Sequence, residues 1–282
     1  MREGQKQTAQ SDVQKKNVET QFAIREAMNK IKHKILVLSG KGGVGKSTVA
    51  VNLAYGFAHL GHKVGLLDID IHGPSIGKMA GIEGQPLVGR KDSTIEPVIK
   101  DGIKIVTMAS LLPPEDTPVI WRGPMKMKAI DQFLSEINWG ELDILVIDSP
   151  PGTGDEPLSI IQRLPEMDGA VIVSTPQDVA LSDARRTVNF SKTLKIPVLG
   201  IIENMSGFIC PHCGKRTDIF KTGGGEKAAK EMGLDVLGNF LLEPELMAAS
   251  DIGKPYILDH KESTTAAEMM NTVKKLAEKM KL

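Results

Sequence analysis

The nonapeptide GKGGVGKST at residues 40–48 constrains this chain more than any other feature. It follows a short apolar run, Lys34–Ser39 (KILVLS). It precedes a stretch in which Val49, Leu53, Phe57 and Leu60 recur at spacings of 4, 4 and 3, one face of an amphipathic helix that Gly61 stops. Residues 40–47 fit G-x-x-x-x-G-K-[ST] in the strand–loop–helix context that pattern requires. Gly40, Gly42, Gly43 and Gly45, with Lys41 and Val44 between them, let successive backbone N–H groups turn inward as an anion nest. The helix opening at Lys46, Ser47 and Thr48 points its positive end at the same anions. Lys46 supplies a mobile charge for β- and γ-phosphates, and the Ser47 hydroxyl is placed to ligate Mg2+. The expected ligand is ATP.

Further apolar runs at Lys63–Ile69, Ile103–Met108, Leu142–Asp148, Ala170–Thr175, Val198–Glu203 and Val236–Leu241 are mostly continuous rather than alternating, as in strands covered on both faces. Helical stretches lie between many of them, over about 125–137, 156–164 and 180–194, and a Lys-rich helix over about 264–281 closes the chain. The expected fold is α/β: a mostly parallel twisted sheet with helices on both faces. One domain over 31–282 is expected, preceded by a polar tail or docking helix over 1–30, where Val18, Phe22 and Met28 line one side. Residues 206–222 (SGFICPHCGKRTDIFKT) break the rhythm as an insert with its own chemistry.

Composition removes several classes. Among 282 residues there are 35 Lys plus Arg and 35 Asp plus Glu, which argues against nucleic-acid binding through bulk charge. Aromatics are 4%, so stacking platforms for single strands are scarce. No apolar run reaches the roughly eighteen residues of a membrane span. The polar N-terminus lacks a secretory pattern, so a cytoplasmic protein is expected. Two cysteines exclude a disulfide scaffold.

Two strands end in carboxylates. KVGLLDID (63–70) reaches Asp68 and Asp70, and LDILVID (142–148) reaches Asp148. The C-terminal ends of parallel strands face the crevice where ligands bind. Asp148 has the form of a Walker B aspartate, expected to hold Mg2+ directly or through water. A second lysine in the loop, Lys41, is more than an ordinary phosphate loop needs. GKGGVGKST resembles the deviant loop of the MinD/ParA/nitrogenase-iron-protein class of ATPases. The resemblance implies a homodimer in which Lys41 reaches the partner's nucleotide and cancels charge as the γ-phosphoryl leaves. It also implies that Asp70 in the first switch orients the attacking water, and that Gly152 and Asp155 belong to a second switch.

Cys210-Pro211-His212-Cys213-Gly214 admits several readings. A zinc knuckle wants four ligands, and the chain has one knuckle. A redox CxxC normally opens a helix, whereas Pro, Gly, Lys and Arg surround this one. A disulfide is disfavoured in cytosol. In the remaining reading two chains pool four thiolates from Cys210 and Cys213, the complement for a [4Fe–4S] cluster or for Zn2+.

The sequence also resembles the ApbC/Mrp branch of the MinD-like ATPases, carriers and scaffolds for iron–sulfur clusters, over about residues 31–280. The motifs are GKGGVGKST (40–48), LLDIDIHGPS (66–75), WRGPM (121–125), LVIDSPPGTGD (145–155), IENMSGFICPHCG (202–214) and EPELMAASDIGKP (243–255). The resemblance implies a P-loop NTPase that hydrolyses ATP slowly with Mg2+ and holds a [4Fe–4S] cluster at a homodimer interface for delivery to apo iron–sulfur proteins. It implies that Asn204 recognises the adenine edge, with backbone around Glu243 and Pro244 lining the base. A MinD/ParA-like positioning ATPase and a zinc-bridged regulatory dimer are the alternatives. The C-terminal helix lacks bulky aromatics on an apolar face, so no stable membrane attachment is expected.

Overall fold

A computed structural model describes residue 15 and residues 17–111, 123–221 and 223–282. One sheet contains eight strands: β1 (Ile31–Ser39), β2 (Val64–Asp68), β3 (Val98–Lys100), β4 (Ile103–Thr107), β5 (Leu142–Asp148), β6 (Gly169–Ser174), β7 (Val198–Glu203) and β8 (Val236–Asn239). Their spatial order is β8-β7-β6-β1-β5-β2-β4-β3. Neighbours run parallel except at one edge, where β3 pairs antiparallel with β4.

The continuous apolar runs have a simple cause. Alternate side chains of a strand point to opposite faces, and here both faces are covered. Ile35 and Val37 of β1 enter one core, and Leu36 and Leu38 enter the other. In β5, Ile144 and Val146 part from Leu145 and Ile147 in the same way. The helices of seven residues or more are α1 (residues 17–28), α2 (Lys46–His59), α3 (Gly123–Ser135), α4 (Asp155–Ile161), α5 (Asp178–Thr193), α6 (Gly224–Met232), α7 (Pro244–Asp251) and α8 (Thr264–Met280). Side chains of α2, α7 and α8 fill the first core, and those of α1, α3, α4, α5 and α6 fill the second. Ser263 caps α8, its hydroxyl accepting from the Ala266 N–H at 2.9 Å.

Three local expectations change. The spacing of Val49, Leu53 and Phe57 predicts one buried face for α2, yet Val51, Ala54 and Tyr55 are buried too, and Leu60 lies past the helix end, partly exposed. The reason is that α2 is sandwiched between the sheet and a further layer. A Cβ on Gly56 would stand 2.5 Å from Val273 Cγ2 of α8. Asn52 is buried there because both ends of its amide are used, Nδ2 donating to the Thr48 carbonyl and Oδ1 accepting from the Ile257 N–H. In α1, Val18 and Phe22 are exposed, while Ile24 and Met28 enter the core. Burying each of those two contributes roughly 1.5–3 kcal/mol relative to exposure. Residues 1–14 and 16 of the expected tail lie outside the described residues. Finally, β3, α6 and α7 have no counterpart among the sequence-predicted elements.

Candidate nucleotide and thiolate sites

The phosphate loop leaves β1 at Ser39 and enters α2 at Lys46. Gly43 (φ 79°) and Gly45 (φ 83°) occupy the left-handed region, which turns the loop's amides toward a common hollow. Nothing stands within 4 Å of where a Cβ on Gly42 or Gly43 would be, so that side of the loop is open. Gly40 is the opposite case: a Cβ there would lie 2.5 Å from the Asp183 carbonyl carbon of α5. No side chain caps the α2 N-terminus, which leaves its first-turn donors to a ligand.

Beside the loop, β2 and β5 are in register with Asp68 opposite Asp148, and both carboxylates are fully buried. Lys46 Nζ donates to Asp148 Oδ1 at 2.7 Å and stands 3.4 Å from Asp70 Oδ2. Ser47 Oγ donates to Asp148 Oδ2 at 2.5 Å. Asp68 accepts from Thr107 Oγ1 at 2.7 Å and from the Asp70 N–H at 3.0 Å. Burial, reinforced by the neighbouring Asp148 charge, pushes the Asp68 carboxyl up to about 8. Burial likewise raises Asp148, against the opposing pull of Lys46 and Ser47. A hydroxyl and a carboxylate oxygen already side by side are a donor set suited to Mg2+. The glycine nest and uncapped helix suit a polyphosphate.

The remaining predicted residues fall around this centre. The Gly152 N–H donates to the Ser39 carbonyl at 2.8 Å, with φ 95°, so the segment after β5 starts against the loop. Lys41 is half-buried, its Nζ donating to Gln177 Oε1 at 3.4 Å within the same chain. Thr48 belongs to α2, its carbonyl taken by Asn52. Val44 is buried, and its carbonyl accepts from Asn204 Nδ2 at 2.9 Å. The side chain expected at an adenine edge thus also supports the phosphate loop through its amide nitrogen. Pro244 is the first residue of α7. The preceding Glu243 accepts from Thr265 Oγ1 at 2.5 Å and from the Tyr256 hydroxyl. Trp121 and Arg122 of WRGPM lie outside the described residues.

Sequence reasoning misses a second polar cluster. His72 Nε2 lies 2.9 Å from Glu156 Oε2 and 2.9 Å from Lys126 Nζ, which also donates to Glu156 Oε1 at 2.9 Å. These side chains join the segments after β2 and β5 through α3. Lys126 and Glu156 are 30 residues apart, and no spacing pattern connects them.

Beyond β7 the chain passes Met205 (φ 56°) and forms a two-stranded ribbon, Phe208–Ile209 against Arg216–Thr217. Cys210 and Cys213 occupy its tip, closed by Cys210 N–H to the Lys215 carbonyl (3.0 Å) and Gly214 N–H to the Cys210 carbonyl (2.8 Å). Both cysteines are free, Cys213 exposed and Cys210 partly so. The His212 and Cys213 N–H groups point at the Cys210 sulfur and, with the Cys213 thiol, lower the Cys210 pKa. The pair sits on a hairpin, not at the start of a helix as a thioredoxin-like motif would. Among the described residues no group of three or more His, Cys, Asp or Glu side chains is placed to hold a metal ion. Among the described residues, the hairpin tip thus offers two thiols and no third such ligand beside them.

A parallel sheet with the glycine loop between β1 and α2, and buried aspartates on the flanking strands, defines a P-loop NTPase. Residues 30–277 match the family model described as ParA, NUBPL iron-transfer P-loop NTPase, and the chain belongs to that family. An iron–sulfur cluster carrier protein of Methanocaldococcus jannaschii is 53% identical over 271 residues, 95% of this chain and 92% of that protein. The nucleotide-binding protein of Archaeoglobus fulgidus, solved in complex with ADP and with cobalt, superposes with TM-score 0.76 at 37% identity, covering 88% of this chain and 96% of the other. The cell division ATPase MinD of Pyrococcus furiosus shares the fold, with TM-score 0.67 at 20% identity over 87% of this chain and 98% of that one.

Proposed function

We propose that this protein is an ATP-dependent carrier whose substrate is an iron–sulfur cluster of the [4Fe–4S] type, held between two copies of the chain and passed to apo iron–sulfur proteins in the cytoplasm. The observation that carries the reading is the hairpin tip. Two free thiols, one exposed and one partly exposed with a lowered pKa, stand together on a chain of a family described by iron transfer. A cluster that must leave is best held by few ligands at a surface, and a second copy supplies the missing two thiolates by symmetry.

The nucleotide half of the cycle follows from the loop. The nest of Gly40, Gly42, Gly43 and Gly45 and the α2 N-terminus receive the phosphates, and Lys46 swings from Asp148 to the β- and γ-phosphates. Ser47 and Asp148 would hold Mg2+, which supplies charge screening of the phosphates. Asp70 orients the attacking water, Lys41 leaves Gln177 to reach the partner's nucleotide, and Gly152 leads the segment that senses the γ-phosphate. Asn204 supports the loop through Val44 and places its Oδ1 for the adenine amino group, with the backbone at Pro244 beside the base. Hydrolysis is slow and acts as a timer for the carrier cycle.

Anaerobic incubation with ferrous iron and sulfide tests the assignment. The expected result is a brown dimer with about four irons per two chains, lost in Cys210→Ser. Stoichiometric zinc that iron and sulfide do not displace removes the carrier reading in favour of a zinc-bridged dimer.

A further inference from the structure

The cysteine hairpin and the phosphate loop meet at two consecutive residues, Glu203 and Asn204. Glu203 ends β7 and is 1% exposed. An anion so deep persists only when its oxygens are matched. Oε1 accepts from the Ser206 hydroxyl at 2.7 Å, and Oε2 accepts from the Gly225 N–H in the first turn of α6. The positive end of α6 adds to that match. Ser206 opens the segment that carries both cysteines, and Gly225 lies just beyond its end. One carboxylate therefore clamps the two ends of the hairpin segment.

The clamp is built closely. A Cβ on Gly225 would lie 2.5 Å from Glu203 Oε2, and one on Gly224 would lie 2.7 Å from the Pro176 carbonyl oxygen. The run of glycines at 223–225 is thus the backbone that lets α6 dock on the carboxylate. Arg216 of the ribbon donates to the Ser206 carbonyl at 2.7 Å, so the hairpin itself hangs on the clamped residue. On the other side, the Asn204 N–H donates to the Ser174 carbonyl at 2.8 Å and its side chain to Val44 of the phosphate loop. The phosphate loop is therefore one hydrogen bond from Asn204, and Asn204 is one peptide unit from the carboxylate that sets the hairpin.

We propose that Glu203 is a positioning residue that couples the nucleotide state of the phosphate loop to the exposure of Cys210 and Cys213. The inference rests on the carrier reading for its purpose, but its test uses protein free of iron and sulfide and does not require cluster binding. The test measures the alkylation rate of the two thiols by iodoacetamide in full-length protein, with and without Mg-ATP. The expected wild-type response is a change of about fivefold or more, the lower range of a site-to-site coupling. Glu203→Gln keeps an acceptor for Ser206 but turns an NH2 toward the Gly225 N–H. It should bind nucleotide as wild type does while its alkylation response falls to within about twofold. Ser206→Ala removes one arm of the clamp, keeps the charge, and should reduce the response partially; it decides the matter should Glu203→Gln fail to fold. An undiminished response in both variants, or no response in wild type, overturns the proposal. Failure of the carrier reading would appear instead as wild-type protein that takes up no iron.

Discussion

Asn204 and Gly45 are in direct contact: a Cβ on Gly45 would stand 2.1 Å from Asn204 Nδ2. The contact joins the residue after β7 to the residue before α2, 159 positions earlier in the chain (204 − 45). It gives Gly45 two reasons to be glycine, its φ of 83° and the space taken by the amide. Gly45→Ala should cost about 1–2 kcal/mol from the left-handed backbone alone and displace Asn204 as well. The expected outcome is loss of nucleotide binding in a protein that still folds, read by a fluorescent ATP analogue and by circular dichroism. Wild-type affinity in the variant would contradict it.

Lys46 is the cation nearest to the buried Asp148. Removing one partner of a buried pair leaves the other uncompensated. Lys46→Ala should therefore abolish ATP binding and also lower the stability of the nucleotide-free protein by about 3 kcal/mol. Urea denaturation without nucleotide checks the second effect, which a lysine serving only phosphates would not produce.

Lys41 rests on Gln177 of its own chain, in a weak 3.4 Å hydrogen bond. Little holds it there, consistent with a side chain that moves to a partner's nucleotide. Lys41→Ala should leave ATP affinity nearly unchanged and reduce turnover by about a hundredfold, as expected for loss of one transition-state donor. Retention of full turnover would remove the cross-dimer role.

Asp143 ties three strand beginnings together. It accepts from Lys32 Nζ at 2.8 Å and from the Lys63 N–H at 2.8 Å. The Lys32 hydrogen bond, then the Lys63 amide, hold its carboxyl below the usual carboxylate range. A depressed folded-state value stabilises above the ordinary pKa near 4 and is lost as pH falls through the depressed value. Asp143→Asn should thus be less stable than wild type at neutral pH, by under about 1 kcal/mol given the exposed lysine. The difference should shrink as pH falls through the depressed value, where both side chains become neutral. Thermal melts across that range check the sign.

How much was legible depended on the reach of each interaction. The phosphate loop, the acidic ends of β2 and β5, and the two-sided strands were readable because each is written in residues a few positions apart. The short β3 was not, because three residues carry too little pattern to separate an edge strand from a loop. Nor was the all-round burial of α2, since Val49, Leu53 and Phe57 predict one face whatever later packs on the other. Lys126 and Glu156 carried no local signal, and neither did the reason for Gly224 and Gly225.

The linear order of residues determined which atoms stand ready for chemistry: a glycine nest, two lysines, aspartates at strand ends and a pair of thiols. Folding decided which of them meet. Val44 finds Asn204, and Glu203 finds Gly225, only when β7 docks beside β6 in the sheet. Such pairings depend on strand order and register, which arise from the burial of two whole cores rather than from any neighbouring residues.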